Sequence, residues 1–170
     1  MLSFRSALLL VSFVVGFIIG FGLKVAYQSR NFVVAQWENE PFIVVCPSSK
    51  VDGYRVSIAV QWWKDKGYPI AGYHFDEDGV ICSQGKFVEG IIFIRDKRRI
   101  KPETYAETAR FSMGSEVISA EINMPNRNRF LSRLLEHEIG HALGFSHVEE
   151  EGHIMHPILE RTGERFWIPD

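Results

Sequence analysis

The chain has 170 residues, of which 46% are hydrophobic and 24% charged, and its formal net charge is −2 at pH 7. This length is sufficient for one domain of modest size with a real hydrophobic core. The slight acidic balance argues against nucleic acid as the main partner, because proteins that bind nucleic acid carry an excess of Lys and Arg.

The N-terminal segment differs in composition from the rest of the chain. Ser6 to Leu23 is a run of 18 residues without a charge, flanked by Arg5 and Lys24. Such a run is long enough to cross a bilayer and exceeds the usual apolar core of a signal peptide. We therefore predict a single-pass membrane anchor or uncleaved signal in residues 1–30. It would contact the membrane through residues 6–23, and secretion after signal cleavage is the alternative.

The location of the remaining chain is less clear from the sequence. Positive charges are nearly equal on the two sides of the apolar run, so they do not fix its orientation. Cys46 and Cys82 could form a disulfide, which suits a domain outside the cytoplasm, or could be two buried thiols. We expect an extracytoplasmic domain over residues 41–170, a stalk over residues 31–40, and a monomer. Trp37 and Tyr27 are candidate interfacial anchors.

The first half of this domain has the patterns of strands and one helix. Three short apolar runs predict strands at Phe42–Cys46, Tyr68–Phe75 and Gly90–Arg95. After Asp52, which can cap a helix, apolar residues recur at helical spacing until Gly67. His74, Asp76 and Asp78 could hold an additional Ca²⁺ or structural Zn²⁺. The Asp-Gly pair that follows favours an ordinary turn, so the sequence does not support an ion at this place.

The second half begins with a predicted hairpin. Its arms are Tyr105–Ser112 and Glu116–Met124, and in the second arm apolar and polar residues alternate as in a half-exposed strand. Asn126 or Asn128 would then cap a helix that passes through Leu131 and ends near Leu143. These elements predict an α+β fold with a mixed, twisted sheet.

The segment from residue 137 to residue 147 reads HEIGHALGFSH. His137 and His141 are four residues apart, so on a helix both rings can face one metal ion. Glu138 directly follows His137, and its carboxylate can take a proton from a metal-bound water and later pass it to a leaving amine. Gly144 can end the helix and turn the chain, so that His147 approaches the ion from the side. Three histidines suit Zn²⁺ and leave a fourth position open for water, which is the catalytic arrangement.

This string and the sequence that follows it resemble the metzincin clan of zinc peptidases. HIMHP places Met155 eight residues after His147, and its proline is similar to the matrixin branch, which includes the matrix metalloproteinases. The resemblance implies that His137, His141 and His147 bind one catalytic zinc ion, that Glu138 is the general base and that Met155 forms the Met-turn. It also implies a zincin fold with a backing helix, an active-site helix and a small C-terminal subdomain.

The resemblance further implies that an antiparallel edge strand holds the substrate, and Glu116–Met124 is our candidate. Pro157 stands where some metzincins have a tyrosine, so the oxyanion would depend mainly on zinc. His153 and His156 are expected to be turn residues packed below the site. The predicted function is a zinc-dependent endopeptidase that acts on protein or peptide substrates. The alternative is a non-catalytic, zinc-stabilised peptide-binding module at the membrane.

Overall fold

The computed structural model describes residues 32–33, 35–85, 88–97, 101 and 103–169. The predicted anchor over residues 1–30 lies outside this set. Among the described residues, no helix has the length and apolar character needed to cross a membrane. Residues 33–167 form one compact unit, and Phe32 and residues 168–169 belong to a second unit.

The compact unit consists of one sheet and the helices that pack on it. Its strands and α-helices are β1 (Phe42–Val45), α1 (Gly53–Asp65), β2 (Gly72–Phe75), the short helix α2 (Val80–Ser83), β3 (Ile91–Arg95), β4 (Glu107–Met113), β5 (Glu116–Asn123) and α3 (Leu134–Leu143). Two short 3-10 helices, Asn126–Asn128 and Leu159–Arg161, follow β5 and α3.

The five strands are arranged in the order β2-β1-β3-β5-β4. The first four are parallel to one another, and β4 is antiparallel to β5. Parallel strands need crossover connections, and α1 supplies the one between β1 and β2. The α+β fold with a mixed sheet is therefore confirmed.

The prediction that Glu116–Met124 is the edge strand was wrong. The hairpin forms, but β5 pairs with β3 as well as with β4, so β4 is the antiparallel edge. Because β5 is internal, it is buried on both faces and not half-exposed: Ser119, Ala120 and Ile122 are fully buried. The alternating sequence predicts the hairpin, but it does not indicate which of the two arms pairs with β3.

Helix α1 forms as its sequence predicts. The Asp52 carboxylate accepts a hydrogen bond from the Arg55 backbone N–H at 2.9 Å, which satisfies one of the free donors at the helix start. Its apolar stripe, Val56, Ala59, Val60 and Trp63, is buried. Trp63 stacks on Phe145 with 5.5 Å between ring centroids and donates a hydrogen bond from Nε1 to the Glu136 carbonyl at 2.8 Å. The backing helix is thus fixed to α3.

Helix α3 begins later than predicted. Asn126 and Asn128 form a 3-10 turn instead of a cap, and Leu131 precedes the helix, which starts at Leu134. The residue before it, Arg133, has a left-handed backbone with φ 62° and makes no side-chain cap. Asn128 instead donates from its amide to the Tyr105 carbonyl at 2.6 Å. A long-range contact therefore takes the side chain that sequence patterns assign to a local cap.

Much of the segment predicted as a stalk contacts the compact unit. Val33 forms a bridge with Phe145, and the Gln36 N–H donates to the Ser115 carbonyl at 2.9 Å. Trp37 is bonded to the compact unit, because its Nε1 donates to the Ala142 carbonyl of α3 at 2.9 Å. These contacts extend the compact unit to Val33.

Cys46, directly after β1, and Cys82, in α2, form a disulfide that closes a loop with a sequence separation of 36. Removing both sulfurs in a Cys46→Ala/Cys82→Ala variant should lower the free energy of unfolding by about 4 kcal/mol, because the unfolded chain regains the entropy of an open loop. Urea unfolding of both proteins measures the difference. Reductant should destabilise the wild type to the level of the variant and leave the variant unchanged. A variant as stable as the oxidised wild type would contradict a stabilising role.

Candidate metal centre

Three histidines converge at the end of α3. His137 and His141 lie on successive turns of the helix, and His147 follows the turn at Gly144. One ring nitrogen from each lies within 4.8 Å of the other two. The Nε2 atoms of His141 and His147 are 3.0 Å apart. Nitrogens at these separations can share one metal ion.

Backbone carbonyls fix the orientation of the two helical rings. The Nδ1 atoms of His137 and His141 each lie 2.8 Å from a carbonyl oxygen, that of Ile154 and that of Phe145 respectively. Carbonyls only accept, so both Nδ1 atoms carry the hydrogen, and each Nε2 is left with the lone pair that a metal requires. This is the support that zinc-binding histidines usually have.

Burial keeps these imidazoles neutral. It lowers the pKa of His137 to about 4 and the pKa of His141 to about 3, assisted for each by the neighbouring histidines. The pKa of His147 is also lowered, again mainly by burial. Three neutral, converging imidazoles with nitrogens free for coordination are a donor set that fits Zn²⁺.

Glu138 lies next to the first of these histidines and is only 5% exposed. Burial raises the pKa of its carboxyl to about 7, although a hydrogen bond from Thr108 opposes this effect. A bound cation would also act to lower it. A carboxyl group with a pKa near neutrality can both accept and return a proton, as general acid-base chemistry requires.

Met155 is fully buried, and its sulfur packs below the helix that carries the histidines. A Cβ built on Gly140 would overlap the Met155 sulfur and lie 2.6 Å from Cζ2 of Trp63. Glycine at this position therefore allows Met155 and Trp63 of the backing helix to reach the middle of α3. Gly140 is not among the residues predicted to be important, although glycine inside a helix often indicates close packing.

Gly144 ends α3 as predicted. Its backbone is left-handed, with φ 112°, which glycine adopts without strain. A Cβ here would overlap the carbonyl oxygen of Ala35, because the segment before β1 passes over the turn. The turn thus needs glycine for two reasons, its conformation and the close approach of another segment.

A cleft of about 510 Å³ opens in front of the histidines. Its lining includes the first residues of β4, the residues before that strand and the segment from His156 to Glu160, with Pro157 among them. The cleft therefore joins the histidine cluster and Glu138 to β4, the edge strand of the described sheet.

The other histidines have the structural roles expected of turn residues. His153 is fully buried, accepts the Met155 N–H at 3.0 Å through Nδ1 and donates from Nε2 to the Trp167 carbonyl at 3.0 Å. His156 accepts the Ile158 N–H at 3.0 Å, and it also reaches the cleft, which the sequence did not indicate.

The second candidate ion site is a capped turn. Asp76 accepts the Cys82 N–H at 2.6 Å, and Asp78 accepts the Val80 N–H at 3.2 Å, so both carboxylates stabilise the start of α2. In the part of the chain that the structure describes, the cluster with ligand geometry is the one formed by His137, His141 and His147.

The family model for the matrixins, a family of peptidases, matches residues 47–169, which is most of the chain. The protein belongs to the matrixin family. Searches of curated proteins and of solved structures give no match. Membership confirms the metzincin-like fold and implies a zinc metallopeptidase type of function with protein substrates.

His147→Ala should weaken zinc binding by at least about 100-fold, since the two remaining imidazoles lie on one helix and cannot surround the ion. Competition with a chromophoric chelator measures the affinity. His156→Ala is the matched control, because it removes a nearby imidazole that is bonded to backbone, and its affinity should remain close to that of the wild type. Equal affinity in the His147→Ala variant would remove this residue from the ligand set.

Gly140→Ala should destabilise the protein by about 1–3 kcal/mol, because the added methyl group overlaps Met155 and Trp63 in a packed core. Gly53→Ala is the control: its Cβ would meet only Phe75, at an ordinary 3.7 Å. Denaturant unfolding should show no loss of stability for the control. A Gly140→Ala variant as stable as the control would show that the Met-turn does not pack tightly against α3.

Proposed function

We propose that this chain is a zinc-dependent endopeptidase in which His137, His141 and His147 hold one zinc ion and Glu138 is the general base. The observation that carries the proposal is the convergence of three neutral imidazoles beside a buried carboxyl, in a cleft lined by the edge strand of the described sheet. Family membership supports the same chemistry.

Each part of the proposed site has one task in hydrolysis. A zinc ion bound by the three histidines would polarise the scissile carbonyl and lower the pKa of a water molecule. The Glu138 carboxylate removes a proton from that water and then passes it to the nitrogen of the leaving amine. Pro157 cannot donate a hydrogen bond, so no side chain at this position stabilises the oxyanion.

The substrate is held as an additional strand along β4. Among the described residues, β4 pairs with β5 on one side and has no strand partner on the other. An extended peptide can pair with these backbone groups, which positions a chain without requiring deep pockets. This assigns to β4 the role that the sequence suggested for β5.

We further propose that the catalytic domain lies outside the cytoplasm as a monomer, held by a single-pass anchor in residues 6–23. The disulfide between Cys46 and Cys82 supports an oxidising compartment. Secretion after cleavage of the N-terminal segment is the alternative. Cell fractionation with antibody access to the intact cell surface distinguishes the two locations.

Glu138→Gln should retain zinc but lose peptide cleavage by at least about 100-fold, because the amide cannot accept the proton of the water. The assay is cleavage of a mixed peptide library by the full chain at equal zinc content, read by mass spectrometry. Glu149→Gln, which alters an exposed carboxylate, is the control and should cleave like the wild type. Equal cleavage by Glu138→Gln would defeat the assignment of the base. Zinc binding without cleavage by any of the proteins would favour the non-catalytic peptide-binding module.

A further inference from the structure

We infer that Thr108 on the edge strand is a positioning residue for Glu138, and that its hydroxyl fixes the carboxylate in the orientation needed for proton transfer. This inference rests on the proposed role of Glu138 as the base. It assigns to β4 a second task beyond pairing with the substrate.

The contact is short and involves a buried partner. Thr108 Oγ1 lies 2.5 Å from Oε2 of Glu138 and 3.3 Å from the Glu138 carbonyl oxygen. An ionised carboxylate only accepts, so the hydroxyl donates to Oε2. Hydrogen bonds to a charged oxygen in a buried site are the short, strong ones. The bond occupies one carboxylate oxygen and limits rotation of the group, while Oε1 can receive a proton from water.

The hydroxyl has a partner in both states of the base. When Glu138 has taken up a proton on Oε1, its Oε2 still accepts from the Thr108 hydroxyl, and the Glu138 carbonyl at 3.3 Å is a second acceptor. No polar group then loses its partner as the proton arrives and leaves. Valine has the same branched shape but offers neither bond.

Thr108 is itself held in place by its strand. Its strand pairs with β5, where Thr108 is the partner of Ile122. Two residues further on, and therefore on the same face, Arg110 donates from Nη1 to the His141 carbonyl at 2.8 Å and to the Phe145 carbonyl at 3.3 Å. Arg110 thus bonds β4 to the end of α3 and to the chain just after the turn at Gly144. This fixed strand gives the hydroxyl a defined position relative to Glu138.

The test compares Thr108→Val, which removes the hydroxyl at nearly constant shape, with Thr108→Ser, which retains it. We use the full chain at equal zinc content and a peptide that the wild type cleaves. Thr108→Val should lower kcat by about 10- to 100-fold with KM changed less than about threefold, because the loss affects the base and not the binding of the peptide. Thr108→Ser should restore kcat to within about threefold of the wild type, as it regains the donor.

A kcat for Thr108→Val within about twofold of the wild type would overturn the inference, as would a loss in Thr108→Ser equal to that in Thr108→Val. The second outcome would show that the methyl group, and so packing, is what matters. A rise in KM alone would also overturn it, since that result assigns Thr108 to substrate binding.

A measurement without turnover separates this inference from the proposed function. In proton NMR of the zinc-loaded wild type, the hydroxyl hydrogen of Thr108 should be protected from exchange, absent in Thr108→Val and shifted in Glu138→Gln. If the wild type cleaves no peptide but this signal is present, the proposed function fails and the positioning contact stands. If the signal is absent, the positioning inference fails whatever the activity.

Discussion

The sharp turn at Gly144 is the constraint on which the metal centre depends. A helix can direct only one row of side chains at a point, so a third ligand must come from a chain that leaves the helix. At this turn the Phe145 N–H bonds to the Gly140 carbonyl at 3.0 Å, and the Phe145 carbonyl accepts from His141. One reversal of the chain therefore ends the helix, orients the His141 ring and places His147 beside it.

Away from this turn, ion pairs hold the start of α3, and replacing either partner of such a pair would destabilise the protein. Glu136 is fully buried and pairs with Arg55 of α1 at 3.0 Å and with Arg133 at 3.4 Å. Loss of either arginine would leave a buried carboxylate less compensated, which is costly. The same pairing restrains Arg133, whose left-handed backbone lets α3 start at Leu134. The helix that carries the histidines is thus fixed at its start by charge, at its middle by close packing and at its end by the turn.

The order of the strands then decides how the site can be used. The hairpin places β4 at the edge of the described sheet, and Thr108 on this strand lines the same cleft as the histidines. Its hydroxyl bonds to Glu138. If β5 were at the edge, as its sequence pattern suggested, the residue near Glu138 and the strand open to a peptide would be different ones. One strand therefore both lines the cleft and contacts Glu138.

The sequence by itself determined the features that depend on local spacing. The interval between His137 and His141, the glycine at 144 and the capped stripe of α1 act over one or two helical turns, where backbone geometry allows few alternatives. Sequence patterns also indicated β1, β2, β3 and the hairpin, although not the residues at which each begins and ends.

Only the tertiary structure decided the features that depend on contacts between distant segments. These are the position of β5 inside the sheet, the pairing of Cys46 with Cys82, the close packing at Gly140 and the bond from Thr108 to Glu138. Each joins segments that are many residues apart, and a linear pattern does not specify which of several suitable partners a strand or side chain will meet. The reactive groups can thus be read from local spacing, whereas the packing of the chain decides what surrounds and orients them.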